Sequence, residues 1–274
     1  MFVLKGLEEG LLCVLSGSCF LRSGVRMATD LRQRRHSPQA AASETLYLCL
    51  LGEFALRFKR ERVPLAQDAQ RLVAFLALQG RWIRRSYVAG TLWGDASEEH
   101  SNGSLRSALW RLRRTALEIV EAAHDELRLA PGVDVDVQHA SSAARSILAG
   151  HFDAASIEMI NSRLLQELLP GWYDDWVILE RESHRELVVL ALEALSEHCS
   201  DIGRVDTAIL AALAAIQREP LCESAYRAMI RAHLANGNVA EALHQFQMYE
   251  LALHNLGVHP SPKMMALLSG LDVI

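Results

Sequence analysis

Residues 101–119 read Ser-Asn-Gly-Ser-Leu-Arg-Ser-Ala-Leu-Trp-Arg-Leu-Arg-Arg-Thr-Ala-Leu-Glu-Ile. Apolar residues recur in this stretch at steps of four, three and four, which is the spacing of one face of an amphipathic helix. These residues are Leu105, Leu109, Leu112 and Ala116. The spacing therefore predicts a helix that buries one stripe and presents its other side to solvent.

The exposed side of this predicted helix is basic. Six residues form or flank it: Arg106, Ser107, Trp110, Arg111, Arg113 and Arg114. A planar guanidinium pairs well with guanine edges and phosphate oxygens, so such a face suits the major groove of DNA. A solvated basic surface without a ligand is the alternative. Residues 81–117 hold seven arginines and three acidic residues, and this local excess favours the DNA-binding interpretation.

The segments before this helix follow an informative order. Residues 45–51 and 54–58 alternate apolar and polar side chains, which predicts two antiparallel strands. Helical spacing then runs from Pro64 to Gly80, and a second helix, for which Ser86 is a suitable N-cap, ends at Gly94-Asp95.

The segments after the basic helix alternate again. Glu126–Leu129 and Val133–Val137 flank the turn signal Pro131-Gly132, and this pattern predicts a hairpin with Asp134 and Asp136 on its outer side. Strands, two helices, a basic helix and a hairpin are the order of a winged-helix domain. The second and third helices would form the helix-turn-helix, and the hairpin would be the wing.

The C-terminal half contains a repeat instead of strand patterns. Gly203–Ala208 (Gly-Arg-Val-Asp-Thr-Ala) recurs after 34 residues as Gly237–Ala242 (Gly-Asn-Val-Ala-Glu-Ala). A period of 34 residues is that of tetratricopeptide helix pairs, in which small residues allow two helices to approach closely. Two repeats need flanking helices, which we expect at residues 172–199 and 262–271. Matched positions at the same offset are Ala191 and Ala225, Ala194 and Ala228, Leu195 and Met229, and Val205 and Val239.

We therefore predict a mainly α-helical chain with three parts. Residues 1–43 are expected to be a flexible N-terminal extension, residues 44–137 a winged-helix DNA-binding domain, and residues 138–274 an all-α domain of tetratricopeptide-like repeats. Translation could start at Met1 or at Met27. The basic and acidic residues of the three parts number 6 and 3, 13 and 13, and 9 and 17, so the acidic charge is concentrated at the C-terminal end.

The remaining composition favours a cytoplasmic protein. The five cysteines are scattered and form no CxxC pair, which argues against a disulfide framework or a zinc site. No apolar stretch reaches the roughly 20 residues that a membrane helix needs. The eleven histidines form no HxxxH or HExxH pattern, so we expect no enzyme activity, no metal and no cofactor.

Several short stretches, in this order and spacing, resemble the SARP-type bacterial activators, in which an OmpR-type winged helix precedes a bacterial transcriptional activator domain. The resemblance covers about residues 45–271. The stretches that carry it are Leu50-Leu51-Gly52-Glu53-Phe54, Thr91-Leu92-Trp93-Gly94-Asp95, Arg111-Leu112-Arg113-Arg114, Leu168-Leu169-Pro170-Gly171-Trp172-Tyr173-Asp174-Asp175-Trp176, Glu180-Arg181-Glu182 and Gly257-Val258-His259-Pro260-Ser261-Pro262.

This resemblance implies binding to short direct repeats at promoters and contact with RNA polymerase. We also expect two or more copies of the chain along one face of the DNA, as a homodimer or a tandem assembly. It also implies that the loop between the second and third helices, here residues 95–102, touches the polymerase. That loop is acidic, with Asp95, Glu98 and Glu99, which suits a protein-facing surface.

A division of roles among the basic residues completes the expectation. Arg106, Ser107, Trp110 and Arg113 are expected nearest the bases, although Trp110 could instead pack on the wing. Phosphate contacts position a protein and base contacts specify sequence. The residues expected on phosphates are Arg84, Arg85, Arg111 and Arg114.

A second interpretation is a tetratricopeptide-type scaffold whose winged helix binds protein instead of DNA. The exposed arginines of the third helix favour DNA, because a winged helix that no longer binds DNA would not need them.

Overall fold

The computed structural model describes residues 45–153, 157, 165–254 and 256–269. The extension predicted for residues 1–43 lies outside the described residues. Those that are described form a winged helix followed by a helical repeat region, so the predicted fold class is confirmed. The division between residues 44–137 and 138–274 stays a prediction.

The first sheet is built on the alternating strand near the start of the described chain. Leu46 and Leu48 are buried, whereas the intervening Tyr47 is half-buried. The first strand pairs antiparallel with the second and parallel with the last, giving the order β3-β2-β1-β7. These strands are β1 (Leu46–Cys49), β2 (Ala55–Phe58), β3 (Glu61–Val63) and β7 (Val133–Val135).

Three helices and a second small sheet follow. The elements are α1 (Gln67–Gln79), β4 (Ile83–Arg84), α2 (Arg85–Leu92), α3 (Glu98–Arg113), β5 (Val120–Ala123) and β6 (Glu126–Leu129). Helix α1 ends at Gly80, whose φ of 62° closes the helix in the left-handed conformation. The second sheet has the order β4-β6-β5.

The predicted hairpin is wrong in its partner strand. Strand β6 pairs with β5 around a turn at His124 and Asp125, and not with β7. The turn at Pro131-Gly132 redirects the chain so that β7 joins the first sheet beside β1. Both β5 and β7 carry strand-like residues, so the local sequence does not show which of them pairs with β6. The two strands differ in that β7 pairs with the distant β1.

Two helix ends also differ from the expected positions. Ser86 lies inside α2, and Arg84 occupies the N-cap position. Helix α3 ends at Arg113, so Ala116 lies outside it, is exposed and has a φ of 56°. Leu105, Leu109 and Leu112 are buried as predicted.

The hairpin prediction placed Asp136 on the outer side, and this placement is wrong. Its side chain is 2% exposed, and its carboxylate accepts hydrogen bonds from the backbone N–H groups of Leu50 (2.9 Å), Leu51 (3.1 Å) and Val137 (2.7 Å). A buried carboxylate is tolerated where several donors replace its water. Asp136 therefore joins the end of β1 to the start of the following helix, whereas Asp134 is only half-buried and pairs with His139.

The helical region confirms the 34-residue repeat. Gly203 and Gly237 both have a φ of 73° and both follow the first helix of a pair. The matched Ala208 and Ala242 are fully buried, so that neighbouring helices approach closely. The helices are α4 (Asp136–Leu148), α5 (Asp175–Asp201), α6 (Val205–Arg218), α7 (Glu223–Ala235), α8 (Val239–His254) and α9 (Pro262–Leu268).

The segment before α5 joins the helices to the first sheet. The N–H of Leu169 donates to the carbonyl of Leu50 at 2.8 Å. Arg181 of α5 donates to the carbonyls of Leu168, Leu169 and Trp172 at 2.7–3.0 Å. One hydrophobic core therefore runs from the winged helix into the repeats.

Aromatic rings reinforce this junction. The ring centres of Phe54 and Trp172 are 5.8 Å apart and stacked, and those of Phe75 and Trp176 are 5.3 Å apart, edge to face. Such pairs add to the burial of apolar area. In the described part of the chain, no helix is long and apolar enough to cross a membrane.

We expect Asp136→Ala to destabilise the fold by about 3 kcal/mol or more, because three buried N–H groups lose a charged acceptor. Urea unfolding followed by circular dichroism measures this change. Asp134→Ala is the matched control, and it should change the free energy of unfolding by no more than about 0.5 kcal/mol. Equal effects of the two substitutions would contradict the role given to Asp136.

His184 of α5 should make stability depend on pH. Burial, together with the positive charge of Arg218, lowers the pKa of His184 to about 4, and the side chain is 7% exposed. The unfolded chain therefore binds a proton below about pH 6.5 that the folded protein does not bind, so the free energy of unfolding decreases as the pH falls from 6.5 to 4.

Between pH 6.5 and 4, the wild type should lose free energy of unfolding on the order of 3 kcal/mol because of His184, and His184→Leu should abolish this loss. Chemical unfolding of both proteins at a series of pH values tests this expectation. Parallel stability curves for the wild type and the variant would show that His184 does not carry the dependence.

Candidate nucleic-acid interface

Helix α3 is held by one face. The hydroxyl of Ser101, which is buried in the first turn of the helix, donates to the carbonyl of the half-buried Trp93 at 2.7 Å. Leu105, Leu109 and Leu112 then enter the core. With one side fixed in this way, the remaining side of α3 is held toward solvent.

The exposed side of α3 carries the residues predicted from the sequence. Trp110 is 58% exposed, and the guanidinium of Arg114 lies 4.9 Å from the centre of its ring, which is a cation–π contact. The hydroxyl of Ser107 donates back to the carbonyl of Gly103 at 3.0 Å. The other exposed members are Arg106, Arg111 and Arg113.

Residues from the start of α2 extend this surface. Arg85 lines a shallow depression together with Arg106, Ser107, Trp110 and Arg113, so the fold brings together side chains that are 21 to 28 positions apart in the sequence. The backbone N–H of Arg85 donates to the carbonyl of Asp125 at 2.8 Å, which holds the wing turn against α2.

Arg84 is the neighbouring residue and ends strand β4. It is exposed and lies opposite Glu126 in the second sheet. Arg85 therefore lies between the wing turn and α3, and Arg84 lies next to it on the edge strand of the second sheet.

Arg111 differs from the other basic residues. Its guanidinium is paired with the carboxylate of Asp68 in the first turn of α1. The side chains of Arg111 and Asp68 are 47% and 22% exposed, respectively. Because Asp68 lies 43 positions earlier, sequence periodicity gave no sign of this pair.

The wing is weakly suited to phosphate. Its two strands and turn carry Glu121, Asp125 and Glu126 but only one arginine, Arg128. Arg128 forms an ion pair with Glu121 at 2.6 Å, and its guanidinium lies 4.4 Å from the centre of the Trp82 ring. The positive charge of this region is therefore concentrated on α3 and the β4–α2 junction.

The acidic residues predicted to face polymerase lie at the opposite end of α3. The expected loop of residues 95–102 is shorter, because α3 begins at Glu98. Asp95 lies in the turn, whereas Glu98 and Glu99 occupy the first helical turn; all three are exposed. Carboxylates in a first turn are stabilised by the positive end of the helix dipole. Helix α3 is thus acidic where it begins and basic where it ends.

Comparison with known families identifies the helical region. Residues 151–271 match the model of the bacterial transcriptional activator domain. Helices α5 to α9 lie within this match to the bacterial transcriptional activator domain. No curated protein matches the chain.

The fold also matches a solved structure, that of Mycobacterium tuberculosis EmbR in complex with a low affinity phosphopeptide. The TM-score is 0.67 at 20% sequence identity, and the match covers 82% of this chain and 64% of that chain. This chain therefore spans less than two thirds of the EmbR structure that it matches. Together with the bacterial transcriptional activator domain, the shared fold confirms the resemblance to SARP-type activators.

Among the described residues of the bacterial transcriptional activator domain, no cluster of side chains could bind a metal ion. Across the described ranges as a whole, no three His, Cys, Asp or Glu side chains lie close enough together to bind a metal ion.

Proposed function

We propose that this protein is a sequence-specific regulator of transcription that binds double-stranded DNA, and that it acts as an activator at promoters. The observation that carries the proposal is the exposed arginine-rich side of α3, which is held outward by the buried Leu105, Leu109 and Leu112. The second helix of a helix-turn-helix enters the major groove with such a face.

The contacts divide by position. Arg106, Ser107, Trp110 and Arg113 lie on the part of α3 that would face the bases. Arg84 and Arg85 lie at the edge of this surface, where a phosphate backbone would pass. Arg114, at the end of α3, is the third candidate for phosphate contact, because its guanidinium is already placed over Trp110.

The charge distribution favours binding of DNA at α3. The part of the chain after residue 137 holds 9 basic and 17 acidic residues, whereas residues 81–117 hold seven arginines and three acidic residues. Because the local field decides where a polyanion binds, DNA would approach α3 and avoid the helical repeats. Two or more copies would lie in tandem on direct repeats.

RNA polymerase is the second proposed partner. Asp95, Glu98 and Glu99 are exposed at the N-terminal end of α3. At a rise of 1.5 Å per residue, Glu98 lies about 12 Å along the axis from Arg106 and about 22 Å from Arg113. A protein that contacts this acidic end would therefore not need to displace DNA from the arginines.

Selection of bound DNA from a random duplex pool tests DNA recognition. We expect the wild-type protein to enrich a repeated motif. Enrichment of no motif, with only weak and salt-sensitive binding, would contradict sequence-specific recognition and favour the scaffold interpretation.

Variants of two arginines separate base contact from phosphate contact. Arg106→Ala should cost about 1–3 kcal/mol on the selected site and relax one position of the motif. Arg84→Ala should weaken binding to all sequences evenly and reduce the slope of log K against log salt by about 1, because one phosphate contact is lost. Selection and salt titration measure both effects. Unchanged sequence preference of Arg106→Ala and Arg113→Ala would overturn the base-reading assignment.

The acidic end should affect transcription and not DNA affinity. A variant with Asp95→Asn, Glu98→Gln and Glu99→Gln should bind the selected site at least as tightly as wild type but should activate transcription less in a purified system. Glu241→Gln with Glu250→Gln, at exposed sites of α8, is the control and should activate normally. Full activation by the triple variant would exclude this surface as the polymerase contact.

A further inference from the structure

Arg111 stands apart from the other arginines of α3 in its angular position. At about 100° per residue, Arg106 and Arg113 lie within about 20° of each other around the helix, whereas Arg111 lies about 140° from Arg106. Trp110 and Arg114 lie between these two flanks. Arg111 is therefore at the border of the exposed side, next to α1.

The partner of Arg111 is itself fixed. One carboxylate oxygen of Asp68 takes the guanidinium of Arg111, and the other accepts the backbone N–H of the fully buried Ala69 at 2.9 Å. A phosphate that replaced Asp68 as the partner of Arg111 would lie beside this carboxylate, and the two negative charges would repel each other. The pair therefore opposes a phosphate contact by Arg111.

The pair also completes the attachment of α3. The hydroxyl of Ser101 fixes the N-terminal end of the helix on the Trp93 carbonyl, and the leucine stripe fixes its middle. At the C-terminal end, the Arg111–Asp68 pair joins α3 to α1. Recognition of bases requires a helix held within about 0.5 Å of its productive position, whereas a half-exposed ion pair adds little to overall stability.

We propose that Asp68 is a positioning residue for DNA recognition: through Arg111 it sets the orientation of the C-terminal end of α3, and Arg111 holds the helix instead of binding phosphate. This inference rests on the proposed DNA binding and revises the role that the sequence predicted for Arg111. It assigns a function in recognition to a residue of α1, outside the helix-turn-helix.

Three variants and a control test the proposal on the motif selected by the wild type. Arg111→Gln removes one partner, and Asp68→Asn removes the other while keeping an acceptor for the Ala69 N–H. The third variant combines both substitutions. Arg114→Gln is the control, because it replaces the neighbouring arginine that we assign to phosphate. Thermal unfolding of each variant verifies that it is folded.

The expected result is a loss of about two- to fivefold in affinity for the selected site in each single variant, in line with the value of a half-exposed ion pair. The double variant should lose no more than either single variant, because both remove the same interaction. The salt slope should stay at the wild-type value in these three proteins, whereas Arg114→Gln should reduce it by about 1.

Two results would overturn the proposal. The first is a salt slope reduced by about 1 in Arg111→Gln together with tighter binding by Asp68→Asn, which would place Arg111 on a phosphate. The second is a double variant whose loss is the sum of the two single losses. Failure of DNA recognition as a whole would already appear in the wild-type selection, so the two proposals fail separately.

Discussion

The backbone of Leu50 and Leu51, directly after β1, hydrogen-bonds to the helical region and thereby connects it to the winged helix. The Leu50 N–H donates to the buried carboxylate of Asp136, and the Leu50 carbonyl accepts the N–H of Leu169. Buried peptide groups require partners, and here the partners come from the first helix of the repeat region and from the segment before α5. The backbone that follows β1 is consequently satisfied by Asp136 at the start of α4 and by Leu169 in the segment before α5.

Periodic features of this fold could be predicted from the sequence, and long-range pairings could not. The leucines of α3 and the alanines of the repeats, such as Ala208 and Ala242, recur at spacings that depend only on local helix geometry. The partner of β6 depends on which distant strand is available, and the sequence contains strand-like residues on both sides of it. The burial of Asp136 likewise depends on donors 85 and 86 positions away.

The same distinction applies to the candidate DNA-binding surface. Exposure of Arg106 and Arg113 follows from their position outside the leucine stripe, so the sequence indicated it correctly. The pairing of Arg111 with Asp68 and the stacking of Arg128 on Trp82 need the folded arrangement of α1 and the wing. A basic residue already paired with an internal carboxylate, as Arg111 is with Asp68 and Arg128 with Glu121, is less available to DNA, and sequence patterns do not contain that information.

The local distribution of charge in this chain matters more for DNA binding than the net charge does. A net charge of −5 would disfavour DNA if it were spread evenly, but interactions between exposed charges fade beyond about 8–10 Å at physiological salt. The arginines near the end of α3 therefore act largely independently of Glu98 and Glu99 at its start and of the acidic repeats. The shared core that begins at Leu50 holds these differently charged surfaces in one body. Because this core holds α3 in a fixed position, the helix can present its basic end and its acidic end to two different partners at the same time.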